Sequence, residues 1–180
     1  MDTKDFKLEL KTVDDSGTFE GRLSVYNVVD LTGDVVEPGA FTKTLQEGSG
    51  TIPLCWQHEQ ADVIGVLSLS DSPEALNCKG KLVLSVPLAR CAYDLLKAGA
   101  VRGLSIGFKS VKEIISGNVR RLKEIRLYEG SLVTIPANPE TVVTAIKNLQ
   151  AKAPDAEAIE AFRNARRDLQ DFHRRLVEGD

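Results

Sequence analysis

The chain has 180 residues, a formal net charge of −3, 42% hydrophobic and 27% charged residues. This is the balance of a globular protein with room for one domain and a short extension, large enough to bury a core without disulfides or metals. It excludes a global basic field for nucleic acid, and no apolar run approaches the roughly 18 residues of a membrane span.

Met1 to Lys11 alternates charge with hydrophobe and lacks the apolar stretch of a signal peptide. Within it Phe6, Leu8 and Leu10 mark a half-buried strand. Asp14-Asp15-Ser16-Gly17 is a turn cluster, and Phe19 to Tyr26 is a second strand, so a hairpin is expected. Asn27 to Gly39 reads as a loop, followed by one or two helical turns over Ala40 to Gln46. Ile52 to Trp56, Val63 to Leu69 and Leu82 to Val86 are short apolar runs separated by turn residues. Pro87 opens a helix over Leu88 to Lys97, with Leu88, Cys91, Leu95 and Leu96 at helical spacing and Gly99 at its C-terminal cap. Val101 to Val111, Val119 to Leu127 and Ser131 to Ile135 predict three more strands, and Glu140 to Leu149 a helix. Ala151 to Pro154 is a linker. Beyond it Ile159, Phe162, Leu169, Phe172 and Leu176 form a narrow apolar stripe on a second helix. The expected organisation is a domain over 1–150 and a helical extension over 151–180. The expected fold is α+β, a mostly antiparallel sheet or barrel with a few helices.

Cys55, Cys78 and Cys91 are odd in number, scattered and without a C-x-x-C pair, which fits reduced thiols in a cytosolic compartment. No spacing of His, Cys or carboxylates suggests a metal site, and no motif suggests a cofactor.

Gly103-Leu104-Ser105-Ile106-Gly107 matches G-x-S-x-G, the nucleophile elbow of α/β-hydrolases. That reading needs the order Ser, acid, His. After Ser105 the chain has only His173, in the amphipathic C-terminal stretch, a poor place for a rigidly held base. The other histidine, His58, stands in PLCWQHE. Glu129 interrupts an otherwise apolar run over Leu127 to Ile135, where a carboxylate would need a partner. Each residue has a plain structural reading: a strand-end histidine, a small serine admitting a neighbour, a solvent-facing glutamate. Together they supply one nucleophile, one base and one acid on predicted strands of one domain, the residue types that activate a serine. Gly103 and Gly107 lie two residues either side of Ser105, so on a strand they share its face and would clear space there for His58 and a substrate backbone.

Four separated stretches carry a resemblance: GDVVEPGAFTKTL (33–45), IPLCWQHE (52–59), GAVRGLSIGF (99–108) and LYEGSLVTIPANP (127–139). Over about residues 5–148 the chain resembles the prohead proteases of HK97-type tailed bacteriophages, a family related in fold to the herpesvirus assemblins. The resemblance implies a β-barrel surrounded by helices and a serine endopeptidase with Ser105 as nucleophile, His58 as general base and Glu129 as orienting acid. It implies as substrate and partner the major capsid protein, whose scaffolding segment is cleaved, the protease itself as a further substrate, and a homodimer. The implied place of action is inside the assembling prohead in the host bacterial cytoplasm, with no membrane or nucleic-acid partner. One departure stands out. The family pattern around the acid reads like EVSLVTxPANP, and here Gly130 replaces the β-branched residue, which would loosen the strand locally. The same fold acting as a non-cleaving assembly protein is the competing expectation. For the balanced charges of the C-terminal helix, packing on the barrel and docking into the shell stay open.

Overall fold

The computed structural model describes residues 11–12 and 16–146. The chain runs β1 (Lys11–Thr12), β2 (Thr18–Val25), β3 (Asp34–Val36), α1 (Thr42–Glu47), β4 (Thr51–Trp56), β5 (Glu59–Asp71), β6 (Ala75–Leu82), α2 (Pro87–Lys97), β7 (Gly103–Ser116), β8 (Val119–Val133) and β9 (Val143–Ile146). The strands form one curled sheet in the order β1-β9-β2-β6-β5-β4-β8-β3, with β7 also pairing β8. Neighbours are antiparallel except β1–β9, β3–β8 and β4–β8, so the sheet is mixed but mostly antiparallel.

β7 reaches the chain entering β9 along a short seam. Leu104 N–H donates to Thr141 O at 3.0 Å and Val143 N–H to Arg102 O at 2.9 Å. The buried Thr141 hydroxyl adds a bond to Leu104 O at 2.6 Å. β7 therefore meets the chain entering β9, and the hydrogen-bonded path β2-β6-β5-β4-β8-β7-β9 returns to β2. Inward residues are spaced by the two-residue strand period, broken on β5 by a register shift that brings both Ile64 and Leu67 inward: Phe19 and Leu23 on β2, Leu54 on β4, Ile64 and Leu67 on β5, Leu104 on β7 and Leu122 on β8 are essentially solvent-free.

Among the described residues the helices are few. α2 begins at Pro87 and buries Ala89, Ala92, Tyr93 and Leu96. Its buried face is offset by one residue from the predicted stripe, and Leu88 and Leu95 pack only partly against the core. Gly99 follows it with φ +69°, the left-handed position that glycine fills without a Cβ penalty.

Several expectations are corrected. Of the expected hairpin only the second strand is described, as β2; the short β1 lies beside β9, which is parallel to β1 and antiparallel to β2. The helix expected over 140–149 is strand from Val143 to Ile146. Thr141, Val142, Val143, Thr144 and Ile146 are β-branched, and the open edge of β2 rewards that stiffness with a ladder. The strand expected at the third apolar run, Leu82 to Val86, lies earlier, over Ala75–Leu82. The strands placed at 119–127 and 131–135 are one strand, β8, which passes through Gly130 without a break. Nor is Gly130 a loose point: a Cβ there would overlap Leu67 Cδ1 and stand 3.1 Å from Leu23 Cδ1, so core leucines fill the missing volume. The strand expected at Phe6 to Leu10 and the helix expected over 151–180, with His173, lie outside the described residues.

Candidate active site

Ser105 is the third residue of β7 and pairs directly with Ser131 of β8. It therefore sits within an antiparallel ladder rather than at the strand-to-helix turn that an elbow requires. Gly107 pairs with Glu129 in the same ladder. Paired residues share a face and the side-chain period is two, so Ser105, Ser131, Glu129 and Gly107 line one surface. Leu104 and Leu132 point the other way, into the core.

His58 comes from β4 and β5. Trp56 pairs with Glu59, leaving Gln57 and His58 as a two-residue hairpin loop. Their φ angles are +53° and +66°, the left-handed pair that a type I′ turn uses. Such turns favour Asn-Gly. For two ordinary side chains the conformation costs roughly 1–2 kcal/mol per residue, so neighbouring structure must hold it. β8 does so. Gln57 N–H donates to Leu132 O at 3.0 Å, and His58 N–H donates to Ser131 Oγ at 3.1 Å. Gln57 Oε1 accepts from Thr134 N–H at 3.3 Å and from the Thr134 hydroxyl at 3.2 Å.

This clamp delivers the imidazole to the acid. His58 Nδ1 lies 2.8 Å from Glu129 Oε1. A carboxylate oxygen only accepts, which places the proton on Nδ1 and leaves Nε2 as the basic nitrogen. The second carboxylate oxygen, Oε2, accepts from Ser131 Oγ at 2.7 Å. Glu129 is 4% exposed, and its burial is matched by these two bonds, as a buried charge requires. The His58 side chain is 43% exposed, so the base faces solvent while its anchor does not. Among the described residues no hydrogen bond joins Ser105 Oγ to His58; such contacts commonly tighten only when substrate is bound.

The two flanking glycines serve different neighbours. A Cβ at Gly107 would overlap Glu129 Oε1 and fall 2.8 Å from its Cδ, so this glycine makes room for the acid. A Cβ at Gly103 would meet Val133 O at 2.7 Å and Pro136 Cδ at 2.8 Å. The space at Gly103 is thus taken by the turn after β8 rather than by His58.

Cys55 on β4 pairs with Ser131 on its other side and is buried. Burial, and then the charge of Glu129, pushes its thiol above the ordinary range. It therefore stays protonated at neutral pH and does not compete as a nucleophile. Cys78, on β6, is pushed up to about 12 by burial. Among the described residues no group of three or more His, Cys, Asp or Glu could hold a metal ion, and no helix is long and apolar enough to cross a membrane.

Three features eluded the sequence: the I′ turn at Gln57-His58, the hydroxyl of Ser131 and the restraint from Thr134. The turn carries no glycine or asparagine. Ser131 and Thr134 look like routine hydroxyls in the strand run SLVTI until the register sets one beside Ser105 and the other beside Gln57.

Comparisons with known proteins cover most of the chain. The family model described as caudovirus prohead serine protease matches residues 6–155. The prohead protease of Enterobacteria phage HK97 is 29% identical over 165 residues, covering 86% of this chain and 68% of that protein. A capsid polyprotein of Pseudomonas phage PAJU2 is 31% identical over 169 residues, covering 86% of this chain but only 24% of that protein. Among solved structures, the KSHV protease in complex with a hexapeptide phosphonate inhibitor aligns with a TM-score of 0.48 at 15% identity, over 69% of this chain and 62% of that one. The varicella-zoster virus protease aligns with a TM-score of 0.46 at 16% identity, over 70% and 62%. The family match spans five-sixths of the chain, and the chain belongs to the caudovirus prohead serine protease family.

Proposed function

We propose that this chain is a serine endopeptidase of phage capsid maturation, with Ser105 as nucleophile, His58 as general base and Glu129 as the acid that orients it. The observation that carries this reading is the 2.8 Å contact between His58 Nδ1 and Glu129 Oε1, on the face of the ribbon that also bears Ser105. Membership of a serine protease family supports the reaction class. The relative named as a capsid polyprotein supports a capsid substrate.

Ser105 Oγ attacks the scissile carbonyl carbon as its proton passes to His58 Nε2. Glu129 stabilises the imidazolium that forms and keeps the ring in one tautomer. His58 then gives the proton to the departing amine, the C–N bond breaks, and an ester to Ser105 remains. Water attacks that ester while His58 takes its proton. The acid is released and the proton returns to Ser105 Oγ. The substrate is the scaffolding segment of the major capsid protein and, in the same compartment, the protease itself. The cleavage takes place inside the prohead in the host bacterial cytoplasm and makes assembly irreversible.

Co-expression with the major capsid protein of the same phage tests this. The wild-type chain shortens the capsid protein, and Ser105→Ala and His58→Ala both leave it full length. Cleavage by Ser105→Ala would overturn the reading. Proheads that assemble with uncut capsid protein in the presence of the wild-type chain would favour a non-cleaving assembly protein of the same fold.

A further inference from the structure

We propose that Ser131 is a positioning residue of the triad, an inference that rests on His58 as base and Glu129 as its orienting acid. The residue is 0% exposed, and its hydroxyl makes two bonds of opposite polarity. It accepts the backbone N–H of His58 at 3.1 Å and donates to Glu129 Oε2 at 2.7 Å. A hydroxyl has one proton and two lone pairs, so both bonds form together without competition. Glu129 Oε1 is then left for Nδ1 of the same histidine, at 2.8 Å.

The result is a closed ring: His58 backbone, Ser131 hydroxyl, Glu129 carboxylate, His58 imidazole. Each member removes a freedom of the next. Bonds at both oxygens fix the plane of the carboxylate. The bond to the His58 N–H holds a residue whose φ of +66° is unfavourable for any side chain with a Cβ. Because Ser131 is also the cross-strand partner of Ser105, one residue references base and acid to the strand that carries the nucleophile. Base and acid come from elements far apart in sequence, and Ser131 is where their placement is reconciled. Displacing a reacting group by about 1 Å can cost 10²-fold in rate.

A packing role alone makes a different prediction. Ser131 would then matter equally whether or not Glu129 can hold the imidazole. The test is the rate at which a fluorophosphonate probe modifies Ser105 in the full chain, followed by intact mass and peptide mapping, in four forms: wild type, Ser131→Ala, Glu129→Gln and the double variant. Ser131→Ala should slow labelling by about ten-fold or more. In the Glu129→Gln background the same change should slow it by less than about two-fold, since residues acting as one unit are not additive. Ser131→Cys is close in size but a weak donor. It should also be slow, with a melting midpoint near wild type, and it decides the matter if the alanine variant does not fold. Wild-type labelling by Ser131→Ala or Ser131→Cys would overturn the inference. So would an equal loss in both backgrounds, which would leave Ser131 a packing residue. Wild-type labelling by Glu129→Gln would instead overturn the triad beneath it, so the two failures are distinguishable.

Discussion

Near its root the β7–β8 ribbon buries polar groups in a closed network, whereas its distal half carries charge pairs whose cations are exposed. At the root, Ser131 and Glu129 are buried and bonded to each other and to His58. Further out, from Ser110 onward, β7 is largely exposed, including Val111, Ile114 and Ile115. There Lys112 pairs with Glu124, and Arg120 with Asp34 and Glu113. Lys112 holds the Glu124 carboxyl below its usual range. The same two strands thus do different work along their length. At the root, removing one partner strands a desolvated group, which costs about 1–3 kcal/mol or more. In the distal half, water replaces the exposed Lys112 ammonium when it is removed, whereas Arg120 pairs a buried Asp34.

Substitutions can break or sharpen this contrast. Of three substitutions along β7, the largest effect is expected at Gly107. Valine there would push the Glu129 carboxylate out of its place, and fluorophosphonate labelling should slow by about a hundred-fold or more. Gly103→Val meets the fixed backbone oxygen of Val133 instead. It should destabilise the fold by about 1–3 kcal/mol in a denaturant titration, while the folded fraction labels close to the wild-type rate. Equal labelling losses at both positions would erase the distinction between the two glycines. The smallest effect is expected at Lys112→Ala, which should leave labelling unchanged and shift the melting midpoint by less than about 2 °C. A large shift there would mean that the distal ribbon contributes more than its exposure implies.

The sequence reading and the structure agree best where residue chemistry and strand periodicity speak together. Phe19 to Tyr26 and the strand through Ser105 were legible because apolar residues alternate along them, and Ile52 to Trp56 because it is a short apolar run. So was the C-terminal glycine of α2, because a left-handed cap wants glycine. His58, Ser105 and Glu129 were legible as types, and the four matching blocks then pointed to their family. What was not legible depends on register. Nothing local says that Glu59 pairs with Trp56 across Gln57-His58, since the residues after His58 are polar and look like loop. Nothing local distinguishes Ser131 from any strand serine. Gly130 looked like a weak point because the leucines that fill its missing side chain come from β2 and β5. The misassigned 140–149 segment shows the same limit: its helical length was visible, but the open edge of β2 that converts it to strand was not.

The central claim is that Ser105 reacts because His58 takes its proton. The most direct measurement is the rate and location of fluorophosphonate modification in wild type, His58→Ala and His173→Ala. A single adduct mapped to Ser105 is expected. Its formation should be slowed by about a thousand-fold or more in His58→Ala and unchanged in His173→Ala. An adduct elsewhere, or one that forms on Ser105 equally fast without His58, would contradict it.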